Sequence, residues 1–257
     1  MIFQTFYEGC LGPQELACLT SFIKNGHHVI VYSYSHESLP PFLTGRDARE
    51  IMNKEKLFAL DSGYHKGSYA IFADIFRWEL LKQKGGIWID TDVMCISENW
   101  PQSDIFFGYQ DSKIINNAVM KFPAGHPLVA EAAEIAHTLG GHCEWGETGP
   151  LLLTSLVNKY NLHKYALPED VFYPAQFWWA RNIREETVSH DKIDEFRRLG
   201  SVCIHLWNEC LRTDRIDKNS FPQTESLLHH LLKQYNMLAF YEDYAMKMTL
   251  RMLLGCH

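Results

Sequence analysis

Apolar and polar positions fall into blocks that read as strand, helix, strand from the first residues onward. Residues 2–7 (Ile-Phe-Gln-Thr-Phe-Tyr) and 28–34 (His-Val-Ile-Val-Tyr-Ser-Tyr) are β-branched and aromatic runs of strand length. Between them Leu16, Leu19, Thr20 and Ile23 share one face at helical spacing, Pro13 follows Gly12 at a first helical position, and Gly26 supplies a left-handed stop. The spacing therefore predicts a helix over 13–25. This βαβ opening is Rossmann-like, yet the turn Tyr7-Glu8-Gly9-Cys10-Leu11-Gly12 lacks GxGxxG, so the dinucleotide fingerprint is absent.

Residues 35–66 carry Pro40, Pro41, Gly45 and Gly63 around a charged stretch at 46–56, a pattern of loops and one short helix. A strong helix follows over 68–84 and stops at Gly85-Gly86. Ile87-Trp88-Ile89 is then a continuous apolar run of the kind a buried strand shows, and it ends in Asp90-Thr91-Asp92. Further strands are expected at 105–109 and 201–207, helices near 127–139 and 149–159, and two helices at the C-terminus. The whole reads as one α/β domain over 1–257, with helices about 222–254 packed on it.

Composition narrows the class. An apolar fraction of 46% with 21% charged residues, and no low-complexity tract, marks a folded globular chain. A formal charge of −7 argues against nucleic acid as a partner. The seven cysteines are odd in number and form no CxxC pair, and no secretory signal is visible, so reduced thiols in a cytoplasmic protein are expected. No segment reaches the roughly 18 uncharged residues of a membrane span. The C-terminal stretch from Leu227 mixes Leu, Met, Tyr and Phe with Lys233, Lys247 and Arg251; core packing is its first reading, and peripheral contact with the inner membrane face the second.

The chemistry centres on Asp90 and Asp92. Open α/β sheets bind ligands beyond the carboxyl ends of their strands, where these two carboxylates stand, and paired hard oxygens suit Mg²⁺ or Mn²⁺, which in turn binds phosphates. On the preceding helix Asp74 and Arg77 lie three apart and share a face with Ala70 and Leu81. Alone they would be a surface pair of about 0.3 kcal/mol. The Gly85-Gly86 turn changes that, because it packs the helix beside the strand that delivers the carboxylates.

The pattern Ala70-x3-Asp74-x2-Arg77, then Gly85-Gly86-x3-Asp90-x-Asp92, resembles the DXD sugar-binding region of a glycosyltransferase family. That family includes capsular and lipopolysaccharide sugar transferases, α-mannosyltransferases and α-1,4-galactosyltransferases. The compact match covers about residues 69–96. Weaker matches follow in order: Ile115-Asn116-Asn117-Ala118-Val119, Gly125-His126-Pro127, Thr148-Gly149-Pro150 and Ile204-His205-Leu206-Trp207. The resemblance implies a GT-A-like, Rossmann-type mixed sheet and a nucleotide-sugar donor, a UDP-sugar before GDP-mannose. It further implies Mn²⁺ or Mg²⁺, a glycan or lipid-linked saccharide acceptor, retention of configuration, and a role in surface polysaccharide synthesis. By the same resemblance Asp92 would ligate the metal, Asp90 contact the ribose or the metal through water, Asp74 and Arg77 hold sugar hydroxyls and the diphosphate region, and His205 approach metal and diphosphate from the opposite side.

Other residues carry two readings. His205, flanked by Ile204, Leu206 and Trp207, is a core histidine or a metal-proximal one. Asn117 caps a segment or binds sugar. Glu147 is a helix N-terminal acid or faces the acceptor, and Trp178 and Trp179 are buried aromatics or a sugar-stacking platform. Phe3, Gln4 and Thr5 would line the base pocket by fold analogy alone. Two other D-x-D chemistries fit poorly. A haloacid-dehalogenase-like phosphatase wants Thr or Val where Met94 stands, and an EF-hand wants Gly and Glu where Cys95 and Pro101 stand. A non-catalytic sugar-nucleotide-binding module remains the second alternative.

Overall fold

The computed structural model describes residues 1–61 and 66–253; Gly63 and the stretch from 254 onward lie outside them. The chain opens as β1 (Ile2–Phe6), α1 (Pro13–Lys24) and β2 (His28–Ser33), close to the expected spans. Gly26 sits at φ +76°, the left-handed conformation a helix stop requires. The charged stretch differs from expectation. It forms β3 (Thr44–Asp47) and two single 3₁₀ turns, Ala48–Glu50 and Lys54–Lys56, because Ile30 to Ser33 pair with Thr44 to Asp47 and hold that segment extended at the sheet edge.

Next come α2 (Ala70–Lys84), β4 (Gly86–Ile89), β5 (Val93–Cys95), β6 (Phe106–Tyr109), β7 (Ile115–Phe122), α3 (Pro127–Leu139) and α4 (Pro150–Tyr160). A short β8 (Ala166–Leu167) leads into α5 (Glu169–Phe172), α6 (Asn182–Glu185) and α7 (Lys192–Arg198), then β9 (Cys203–His205), α8 (Asn208–Thr213), α9 (Leu227–Gln234) and α10 (Leu238–Leu253). The main sheet has the order β3-β2-β1-β4-β7-β6-β8. β1 runs parallel to both β2 and β4, and β7 is antiparallel to β4 and β6. This is the expected Rossmann-type mixed sheet. The late strand is the exception: β9 pairs with β5 in a separate two-stranded sheet, Val93 opposite His205.

Two apolar layers enclose the main sheet. On one face α1, α9 and α10 pack over Phe3, Val29, Val31 and Ile87; on the other α2, α3 and α4 pack over Phe6, Trp88, Met120 and Phe122. Strand order reverses between β1 and β4, so the crevice beyond their carboxyl ends is the place where such a sheet opens to a ligand. Gly85 fixes the angle between α2 and β4. It has φ +64°, and a Cβ there would lie 2.4 Å from the Ala124 amide nitrogen, so neither the conformation nor the space admits another residue. No described helix is long and apolar enough to cross a membrane, and no disulfide joins the described cysteines.

Candidate functional site

A cleft of about 690 Å³ lies at that crevice, lined from β1 by Thr5 and Phe6, from α2 by Asp74 and Arg77, and from β4 and its turn by Trp88, Asp90 and Asp92. Asp90 stays in the sheet hydrogen-bonding pattern, its N–H donating to Ala118 O at 2.8 Å. Asp92 is delivered by the turn that follows, and the β5–β9 pair clamps it: Leu206 N donates to Asp92 O at 2.9 Å. The small second sheet thus carries His205 to the far side of the carboxylate pair.

Arg77, only 4% exposed at its side chain, bridges two carboxylates. Its Nη1 is 2.8 Å from Asp74 Oδ1 and its Nη2 donates to Asp90 Oδ1 at 2.5 Å, while the guanidinium lies 4.8 Å from the Trp88 ring. Trp88 Nε1 also donates to Asp90 Oδ1, at 2.7 Å. Asp74 accepts from Asn117 Nδ2 at 2.8 Å and from Thr148 Oγ1 at 3.0 Å. A Cβ at Gly149 would press on Asp74 Oδ2 and Asn117 Nδ2, each at 2.9 Å, so the glycine leaves room for this pair.

Asp92 faces the other way. Its Oδ1 is 3.2 Å from His205 Nε2 and its Oδ2 accepts Asn208 N–H at 2.8 Å. That amide reaches the carboxylate because Trp207 holds φ +56°, a conformation costly for a bulky residue and concentrated at functional sites. The two aspartates are consequently driven apart in acidity. Burial, with Asp92's charge adding to it against the relief from Arg77, pushes Asp90 up to about 6. Burial acts on Asp92 as well, but His205 and the Asn208 amide outweigh it and hold that carboxyl below the usual range.

Asp90, Asp92 and His205 place one ligand atom each within 4.8 Å of one another. The set fits a divalent cation of the Mn²⁺ or Mg²⁺ kind by its chemistry, two hard carboxylates and one imidazole. His205 Nδ1 is buried without a hydrogen-bond partner, the sort of orphaned atom a ligand satisfies.

The structure brings Asp74, Arg77, Asp90, Asp92, Asn117, His205 and Thr5 to this cleft. It does not bring the other two residues named for a base pocket. Phe3 is fully buried against Phe22 and Trp100, and Gln4 donates to Gly85 O at 2.9 Å, because both sit further back along β1 while the cleft is lined from its carboxyl end, by Thr5 and Phe6. Glu147 is exposed and ties its own turn, accepting from Glu144 N. Trp179 bonds Glu186, while Trp178 projects into solvent beside Phe177, which lines the cleft with Tyr69 and Trp145. Trp88, Thr148, Asn208 and Lys218 were missed as site residues by sequence reasoning. Thr148 lay in a quoted motif and Asn208 directly follows one; Lys218 has no local signal.

Comparison with known proteins agrees with the resemblance read from the sequence. A family of capsular polysaccharide synthesis proteins matches residues 55–122. The lactosylceramide 4-alpha-galactosyltransferase of Rattus norvegicus is 28% identical over 153 residues, 54% of this chain and 41% of the relative. The alpha-1,4-N-acetylglucosaminyltransferase of Homo sapiens is 25% identical over 184 residues, 65% of this chain and 52% of the relative. The chain thus spans about half the length of these relatives. The solved PaToxG glycosyltransferase aligns over 92% of this chain and 84% of its own with a TM-score of 0.47 and 13% identity.

Proposed function

We propose, for a chain similar to capsular polysaccharide synthesis proteins and α-1,4-glycosyltransferases, that it transfers a hexose from a nucleotide-sugar donor to a glycan or glycolipid acceptor. The observation that carries this reading is the meeting of two polar half-sites at one switch-point cleft. Asp74, Arg77 and Asp90 form the first half, Asp92 and His205 the second. Cytoplasmic surface-polysaccharide synthesis from a UDP-hexose, with GDP-mannose as the other donor, belongs to the same proposal.

Asp92, Asp90 and His205 would hold Mn²⁺ or Mg²⁺. When bound, such an ion supplies Lewis acidity to a departing diphosphate in a site whose carboxylates alone would repel it. The remaining work falls to the chain. Trp88 and Arg77 fix the Asp90 carboxylate, and Asn208 and His205 fix that of Asp92. Asp74, held on three sides, keeps acceptor capacity for donor-sugar hydroxyls because each carboxylate oxygen carries two lone pairs. As the resemblance implies, the acceptor hydroxyl would lose its proton to the leaving phosphate on the same face, giving retention.

The test is release of nucleoside diphosphate from a panel of UDP- and GDP-sugars with MnCl₂ and saccharide acceptors. Turnover supports the reading. Release of inorganic phosphate from simple monoesters would make the protein a phosphatase, and sugar-nucleotide binding without turnover a binding module. Inversion at the anomeric carbon by NMR would remove the same-face mechanism.

A further inference from the structure

Resting on that reading, the inference concerns the cation that meets the donor's diphosphate. Three described basic side chains line the cleft: Arg77, Arg212 and Lys218. The Arg77 guanidinium is turned onto Asp74 and Asp90 and its side chain is only 4% exposed, with Nε and Nη1 buried, so little of its charge faces the cleft. Arg212 is 43% exposed and leans on Glu209 at 3.7 Å. Lys218 differs from both, because its ammonium bonds Glu15 Oε1, a carboxylate of the first turn of α1 that is only 1% exposed.

The surroundings of Glu15 are built for this contact. Its Oε2 accepts Gly12 N–H at 3.1 Å and its Oε1 also accepts Asn208 Nδ2 at 3.3 Å. Gln14 bonds Asn208 Oδ1 in turn, and buried Arg184 donates to Gln14 Oε1 at 2.8 Å and to Ser220 O at 2.5 Å, fastening the segment that carries Lys218. Gly12 leaves room for it, since a Cβ there would collide with Asn219. The same Asn208 gives its backbone N–H to Asp92, so one residue sets both the metal-facing carboxylate and the lysine's anchor. A capping acid alone would need neither a lysine facing the cleft nor a buried arginine behind it. An ammonium has three donors, and Glu15 uses one.

We propose that Lys218 binds the donor's diphosphate and that buried Glu15 positions it. Binding to UDP, GDP and the nucleosides uridine and guanosine is measured with MnCl₂, by calorimetry and ligand-observed NMR, for wild type, Lys218→Met, Lys218→Arg, Glu15→Gln and the double variant Lys218→Met/Glu15→Gln. Lys218→Met is expected to weaken the preferred diphosphate at least about tenfold and leave its nucleoside unchanged, with Lys218→Arg recovering most of the loss. Glu15→Gln should lower the ratio of diphosphate to nucleoside affinity by a smaller factor, which a merely structural acid would not do. The double variant removes both charges together and keeps the test readable if Lys218→Met folds poorly. Wild-type binding matched by the Met and double variants overturns the lysine assignment alone. No nucleoside diphosphate binding by wild type overturns the donor reading and this inference with it.

Discussion

Two clusters of the described chain hold metal-ligand residue types within 4.8 Å: Asp90, Asp92 and His205 at the cleft, and Glu225, His229 and His230 at the start of α9. They differ in what their donor atoms are already doing. His229 Nδ1 accepts Glu225 N–H at 3.2 Å, spending the one lone pair that nitrogen has, and His230 Nε2 lies 3.1 Å from Val188 O. Those contacts brace a backbone junction, where Val188 N bonds Glu225 O and Glu225 sits at φ +63°. At the cleft the contacts fall on carboxylate oxygens with lone pairs to spare, and His205 Nδ1 has no partner. Availability of donors, and an opening beside them, separates a binding cluster from a bracing one.

Asp92→Asn tests that distinction hardest. It should abolish Mn²⁺-dependent nucleotide binding, a loss of at least about 100-fold, with the fold intact by circular dichroism. Retained Mn²⁺ dependence would move the metal site elsewhere, with the α9 cluster first in line. Asp74→Asn acts one layer further out. It weakens the ion pair on a 4%-exposed arginine that keeps only Asp90, so a stability loss of about 2 kcal/mol in urea unfolding is expected, together with weaker donor-sugar binding at nearly unchanged nucleoside diphosphate affinity. Equal loss of sugar and diphosphate binding would take Asp74 off the sugar.

How much of this the sequence could carry depends on how local each cause is. The β1–α1–β2 opening, α2 and the Asp90–Asp92 strand end were legible because apolar periodicity, Gly26 and Gly85 act within a few residues. β7 was visible only as the motif around Asn117; six of its eight residues from Ile115 to Met120 are buried in succession, which erases the alternation that marks a half-exposed strand. The β5–β9 pairing joins residues 112 positions apart in sequence at Val93 and His205, by difference of their numbers, and no local pattern encodes it. Lys218 reaches the cleft through Glu15 across the whole chain, which is why it escaped notice. The Phe3 and Gln4 base pocket failed for a simpler reason: the cleft opens at the carboxyl end of β1, from Thr5 onward, and Phe3 and Gln4 lie behind it in the strand.

Acidity sharpens the comparison next. Asp90 is the carboxyl pushed up to about 6, so in the metal-free protein it takes a proton as pH falls through that value, and the proton competes with the cation. Mn²⁺ affinity measured by electron paramagnetic resonance should be level above pH 7 and fall by up to about tenfold per unit below pH 6. Asp92, held low by His205 and Asn208, stays ionised over that range. A flat profile from pH 5 to 7 would contradict the assignment of Asp90 to the cation.

The smallest expected effect is the most exacting. His230→Gln removes an imidazole that is 8% exposed and loses its contact with Val188 O, at a cost of about 1 kcal/mol in unfolding free energy. Glu225 gains no unpaired burial from the change, since its side chain is 48% exposed. Mn²⁺ and nucleotide binding should therefore stay at wild-type level while the unfolding midpoint drops slightly. The reverse outcome, a stable variant with impaired Mn²⁺ binding, would mean that the bracing contacts yield to a metal and that lone-pair accounting does not tell the two clusters apart.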